Sequence, residues 1–302
     1  MRIHDTLHLA LLAGLLALSA PVCAATPIDQ VRPLDPDGRV DIENLKGRIQ
    51  VRAWERPEVK ISGSLGEGVE KLVVEGDAGH LVVKVQYPKG RVWGGKPSAG
   101  TDLQLTVPLR AALEINSISA NVDVTGVASS KLSIDSVSGN VFVAAAPAEV
   151  DVESVSGNLR LTLNSGQVEV QTVSGKVELR GRMQGEIKAE TVSGDIDVAV
   201  KGERIHELAA STVSGDAVLR SALARGAEVR LESVSGNLLL LLPRDLSAQV
   251  KGESFSGTLK APGAKVSRPE RGPGSSISHR YGAGDGEIRM ETFSGDGEIR
   301  LE

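Results

Sequence analysis

Between Lys131 and Gly236 hydrophobic residues recur at every second position in short runs, and each run is interrupted by the same short phrase. In one unit Val168 and Val170 alternate with Glu169 and Gln171, and beyond the phrase Val177 and Leu179 alternate with Lys176 and Glu178. A period of two marks strands buried on one face, and no helical period competes with it. The phrase is Ser/Thr-Val-Ser-Gly. Its glycines are Gly139, Gly157, Gly175, Gly194, Gly215 and Gly236, with Phe replacing Val before Gly257 and Gly295, and a degenerate copy stands at Ser117-Ile118-Ser119-Ala120. From Gly139 to Gly257 the glycines lie 18 to 21 residues apart, a period that denotes stacked supersecondary units.

These features predict an all-β solenoid, β-helix-like, whose coils stack with a repeat of 18–21 residues. Stacking gives a reason for identical residues at one position, because it aligns Val137, Val155, Val173, Val192, Val213, Val234, Phe255 and Phe293 into one ladder and the eight glycines into another. A sandwich of hairpins would gain nothing from such identity. At a coil spacing of ~4.8 Å, about ten coils form a rod some 50 to 60 Å long. The buried parity also changes within the phrase: Val168, Val170 and Thr172 are even, Val177 and Leu179 odd. The simplest geometry is a corner at Thr172-Val173 with both side chains inward, glycine allowing the bend and the following Asn or Asp facing water. On that reading a charge at Val173 would cost at least about 2 to 3 kcal/mol.

The rest of the chain divides around this array. Residues 1–24 read as a secretory signal: Arg2, an apolar run from Leu7 to Leu18 too short to span a bilayer, then Val22-Cys23-Ala24 at the cleavage region. Residues 25–38 read as a linker, and residues 39–302 as one β-solenoid domain. Within it, 39–113 hold degenerate coils, 114–261 the regular repeats, 262–283 a loop insertion and 284–302 a terminal coil expected to cap the rod. Cleavage after Ala24 would remove Cys23, the one cysteine, leaving neither disulfide nor thiol.

Composition narrows the chemistry. Aromatics are 2% of the residues, which suits a narrow aliphatic core, and the net charge of -5 gives no global attraction for nucleic acid. His80, His206 and His279 are far apart, and no metal-ligand spacing, phosphate-binding loop or nucleophile elbow is present. The repeated serines have the regularity of a structural ladder, whereas a nucleophile needs one base aimed at one hydroxyl. A calcium ladder of the Asn and Asp after each glycine is interrupted by Lys176 and Thr258. No catalytic, cofactor or metal residue is therefore assigned. Two insertions break the rhythm and are the candidate partner-binding loops: Lys89, Arg91, Trp93 and Lys96 in the first, Arg268, Arg271, His279, Arg280 and Tyr281 in the second. Flexible surface excursions are the plainer reading of both.

The Ser/Thr-Val-Ser-Gly-Asn/Asp units from Ser117 to Gly257, the segment Trp54-Glu55-Arg56-Pro57-Glu58-Val59, and strand ends such as Thr106-Val107-Pro108 and Leu241-Leu242-Pro243 resemble the bacterial putative-adhesin family of β-solenoid domains, a domain of unknown function. The resemblance covers nearly all of the chain after the signal. It implies an exported, non-enzymatic envelope protein, periplasmic or secreted, without cofactor, and supplies no catalytic residues. The expected partner is an envelope protein or glycan, not nucleic acid, with no transmembrane segment after signal removal. Two other readings stay open: a carbohydrate-active enzyme on a β-helix scaffold, and a self-assembling structural element whose terminal coil adds another copy.

Overall fold

The computed structural model describes residues 26–88, 98–270 and 272–302. The expected signal, residues 1–24, lies outside them, as do Lys89, Arg91, Trp93, Lys96 and Arg271. Among the described residues no helix is long and apolar enough to cross a membrane. The N-terminal region contains β1 (Thr26–Pro33), β2 (Arg39–Trp54), β3 (Glu58–Leu65), β4 (Lys71–Gly76), β5 (His80–Gln86) and β6 (Thr101–Pro108). The middle contains β7 (Ala112–Thr125), β8 (Lys131–Ser138), β9 (Val141–Ala145), β10 (Glu149–Ser156), β11 (Leu159–Ser174), β12 (Val177–Ser193), β13 (Ile196–Ser214), β14 (Ala217–Ser235) and β15 (Leu238–Leu242). The C-terminal region contains β16 (Ala248–Ser254), β17 (Leu259–Lys260), β18 (Val266–Ser267), β19 (Ser275–Tyr281), β20 (Gly286–Thr292) and β21 (Gly297–Leu301). The chain is an all-β solenoid.

Each middle coil has two arms, one running into the phrase and one leaving it, and the aliphatic core lies between them. Parallel pairing one coil apart sets Val150 beside Val168, Val168 beside Ile187, Ile187 beside Leu208 and Leu208 beside Val229. Leu159, Val177 and Ile196 stack likewise on the second arm. These side chains are buried, as period-two alternation requires. Register is unbroken through the phrase and shifts instead near the return bends, between Ser165 and Gln167, between Gly181 and Glu186, and between Ala199 and Arg204. Extra residues there bulge outward, which is how repeats of unequal length share one stack.

The two ends depart from chain order. At the C-terminal end β20 lies between β14 and β16, and β21 between β15 and β17. The last coil is therefore inserted one level inside the stack and does not cap it. The cap comes from the insertion: β19 pairs antiparallel with β16, and β18 with β19. Residues 262–283 are thus partly a strand pair covering the outer edge, not only a surface excursion. At the N-terminal end β2 is held between β5 and β6 on one side and β7 on the other. Outside β5 and β6 lie β4 and β3, both antiparallel, and β1 pairs antiparallel with β3. The segment expected as a linker accordingly holds an edge strand, and Leu34 behind it is 1% exposed.

Candidate functional site

The phrase corner differs from the expected one in a way that changes its meaning. Ser117, Ser136, Ser154, Thr172, Thr191, Thr212, Ser233, Thr292 and Ser254 point inward and are 2–7% exposed. The next residue in each copy points outward: Ile118, Val137, Val155, Val173, Val192, Val213, Val234, Phe293 and Phe255 are 46–56% exposed. Parity changes across Val173 to Lys176, where the chain turns before Val177 re-enters the core, instead of through two adjacent inward residues. The aliphatic ladder exists, but on the outside. A charge at Val173 consequently falls in the surface range of about 0.5 kcal/mol or less, not the core cost expected from sequence.

Backbone hydrogen bonds and small residues fix this corner. Gly175 has φ of +132°, and a Cβ there would lie 2.1 Å from the carbonyl oxygen of Gly157 one coil away, so only glycine permits the coils to approach. After the glycine, side-chain oxygens cap the next coil: Asn140 Oδ1 accepts from the Asn158 amide at 3.0 Å, and Asp216 Oδ1 from the Asn237 amide at 2.8 Å. Asp296 Oδ1 accepts from the Thr258 amide at 2.8 Å in the same manner. The Asn/Asp row thus ties coil to coil. The second serine of the phrase does so as well, with Ser156 Oγ donating to Val137 O at 3.3 Å and Ser256 Oγ to Phe293 O at 3.4 Å.

The exposed ladder forms the floor of a long groove. Its N-terminal part, of about 710 Å³, runs from Glu43 and Leu45 to Ser211 and Val213. A second part, of about 810 Å³, shares Ser211 and Val213 and continues past Val234 to Phe293 and Phe255. Two residues before most of the outward apolar side chains, and so on the same face, stand the carboxylates of Glu43, Asp135, Glu153, Glu190, Glu232, Glu291 and Glu253, with uncharged Asn116, Gln171 and Ser211 at the remaining levels. Some of these carboxylates have ion-pair partners: Glu43 with Lys84, Glu190 with Lys188 at 3.2 Å, Glu232 with Arg230. Asp135 and Glu153 have none among the described residues. Burial, followed by repulsion from Glu153, Asp151 and Glu114, pushes the Asp135 carboxyl above the ordinary carboxylate range. Phe255 and Phe293 stack face to face, with ring centres 4.7 Å apart.

The structure separates the residues proposed from sequence for partner binding. Arg268 lines the C-terminal part of the groove with Pro269, Glu253 and Phe255. His279, Arg280 and Tyr281 belong to the capping strand. There His279 packs edge-on against Tyr281 at 4.6 Å, and the Tyr281 hydroxyl donates to Pro262 O at 2.5 Å. Burial raises the Tyr281 pKa. Nothing brings these three to the groove. At the other end the Tyr87 hydroxyl lies 3.0 Å from Asn44 Oδ1 and 3.1 Å from Lys46 O, which share its one proton, on either side of groove residue Leu45. The groove itself is missing from the sequence reading, although its signal is present: an acidic residue two positions before a recurring apolar one in most coils, replaced by Asn116, Gln171 and Ser211 in the others.

Comparison with known proteins supports the fold. A "putative adhesin" from Parabacteroides merdae is 12% identical, with a TM-score of 0.52 over 91% of this chain and 96% of that one. A "putative lipid binding protein" from Parabacteroides distasonis gives the same identity and TM-score over 91% of this chain and 97% of its own. At such identity the likeness is one of architecture. No curated protein matches the sequence. The model of the Toastrack DUF4097 family matches residues 43–230, which include β7 to β13 and most of the exposed ladder. The chain belongs to the Toastrack DUF4097 family.

Proposed function

We propose that this protein is an exported, non-catalytic, adhesin-like component of the bacterial cell envelope that holds an elongated partner in the groove above the phrase corners. One observation carries the reading: apolar side chains, seven aliphatic and two phenyl, remain half exposed on nine stacked levels from Ile118 to Phe255. A soluble surface rarely keeps so long an apolar stripe unless something covers it. The stripe lies on a scaffold whose coils are pinned by backbone and Asn/Asp hydrogen bonds, so it is preorganised and loses little entropy on binding. The adhesin and lipid-binding descriptions of proteins with similar folds agree with a binding role.

The carboxylate row also bears on the carbohydrate-active reading, since burial and acidic neighbours push the Asp135 carboxyl upward, the direction a proton donor needs. An acid and its partner, however, must flank a substrate from two directions. Here the N-terminal part of the groove is lined among the described residues by the corners alone, which present their carboxylates along one wall. That arrangement is a charged edge, not an acid/base pair.

The test compares the parent protein with a Val155→Ser, Val173→Ser variant for retention of solubilised envelope material. The variant should keep the parent's melting temperature and lose retention. Equal retention by both would remove the groove from the function. Turnover of a polysaccharide, abolished by Asp135→Asn, would replace the binding reading with the enzymatic one.

A further inference from the structure

Resting on that reading, the chemistry of the groove narrows its occupant. The floor is aliphatic from Ile118 to Val234, ends on Phe293 and Phe255, and spans eight coil spacings, on the order of 38 Å at ~4.8 Å each. One side carries the carboxylates, and the other polar residues lining the N-terminal part are uncharged: Asn116, Gln171, Ser211 and the first Ser or Thr of each phrase. An occupant must therefore be long and apolar on one side and cationic along one edge.

We infer that the groove takes a basic, aliphatic segment of polypeptide in extended conformation, with its aliphatic side chains on the Val ladder and its cations along the wall at Asp135 and Glu153. Charge complementarity selects this class. Asp135 and Glu153 have no cation among the described residues, and Asp135 is further crowded by Asp151 and Glu114. A bound ammonium or guanidinium group relieves that repulsion, whereas the phosphate or carboxylate of an anionic lipid adds to it. A glycan would find few aromatic faces, because Phe255 and Phe293 are stacked on each other. About twelve extended residues match the length of the ladder. The repeat of the floor differs from the two-residue repeat of a strand, so the groove selects composition and charge in preference to an exact sequence.

The experiment uses a fluorescein-labelled dodecapeptide of alternating Lys and Val, with Glu-Val and Lys-Ser peptides of equal length as comparators and phosphatidylglycerol vesicles as a competing surface. Fluorescence polarisation should show the Lys-Val peptide binding, with affinity falling as salt rises, and both comparators at least tenfold weaker. The Asp135→Asn, Glu153→Gln double variant and a Val155→Ser, Val173→Ser double variant should each weaken it tenfold or more. Binding by the Glu-Val peptide as tight as by Lys-Val, equal binding by the Lys-Ser peptide, or unchanged binding in the charge-neutral variant overturns the inference. So does capture of the vesicles in preference to the peptide. If the peptide fails while envelope retention still depends on Val155 and Val173, the groove keeps its function with a different occupant and the inference is overturned. If both fail, the binding reading falls with it.

Discussion

The middle of the solenoid and its two ends are built from the same coils but connected differently. From β8 to β14 each coil pairs with the one before it in sequence, so chain order is spatial order. At the ends the chain steps over a level and fills it out of turn. The first coil, in β2, lies inside β5 and β6, and the last, in β20 and β21, lies inside β16 and β17. A parallel stack ends in unpaired strand edges that invite another copy. Here the outer coils meet antiparallel strands, β3 and β4 at one end and β19 at the other. Inserting the final coil beneath its cap makes the end depend on contacts distant in sequence. The lesson is that a repeat can supply stability while inserted antiparallel strands supply closure, so a self-assembling copy would have to add to the edge of β1, β4 or β18 and not to an exposed terminal coil.

Deleting residues 285–302 should break this comparison most severely. The deletion removes Ile288, Met290 and Ile299, which are 0–2% exposed, and burial of three such side chains contributes on the order of 5 kcal/mol or more. It also leaves β14 and β16 facing an empty level. Hydrogen exchange should show protection lost from Ala248 to Tyr281 but retained in β8 to β12, as expected where stability is carried by nearest neighbours. Retained protection across β16 and β19 would contradict the inserted order.

The next effect separates a glycine of the ladder from one outside it. Gly175→Ala places a Cβ 2.1 Å from a backbone oxygen at positive φ, whereas a Cβ added at Gly226, with φ of +75°, would meet nothing within 4 Å. Thermal denaturation should report about 3 kcal/mol or more lost in Gly175→Ala, and about 1 kcal/mol in Gly226→Ala from backbone strain alone. Similar losses would mean that coil approach at the phrase is not what selects glycine.

Much of this architecture was legible. Alternation identified the inward Val168, Val170, Val177 and Leu179, and the recurring phrase identified stacking. Two things were not. Repetition and hydropathy cannot distinguish an inner ladder from an outer one, and a parity change is produced equally by two adjacent inward residues or by a turn from Val173 to Lys176. Placing both members of each pair inward was right for Thr172, but it buried Val173, which the fold exposes, and so concealed the groove. The end topology was hidden for a different reason. Thr292-Phe293-Ser294-Gly295 has the same local sequence as any other phrase, so equivalent coils are interchangeable as far as local pattern is concerned, and their order is set by connection lengths and by the antiparallel strands.

The buried member of the pair yields a smaller effect. Thr191 Oγ1 is enclosed without a hydrogen-bond partner among the described residues, whereas Thr172 Oγ1 donates to Ser174 O at 3.4 Å. Replacing an unsatisfied buried hydroxyl by a methyl removes a desolvation penalty. Thr191→Val should therefore stabilise by about 1 kcal/mol, and Thr172→Val should be close to neutral, as read from denaturant midpoints at constant m-value. A loss in Thr191→Val would show that the inner hydroxyl ladder is satisfied as a unit.

The smallest effect concerns the outer wall and depends on pH. Asp135 has its pKa raised first by burial and then by Glu153, Asp151 and Glu114, so the folded protein binds this proton more readily than the unfolded chain does. The ionised form destabilises the fold above the folded pKa, and that destabilisation disappears as pH falls through the folded pKa toward the unfolded value. Asp135→Asn should accordingly melt higher than the parent at pH 7, and the two should converge by about pH 3, below the ordinary aspartate range. A difference that persists or grows in acid would reverse the sign and deny the crowding. Agreement would show that a carboxylate unfavourable to the free protein stands in the wall of an apolar groove, where an incoming cation is what it lacks.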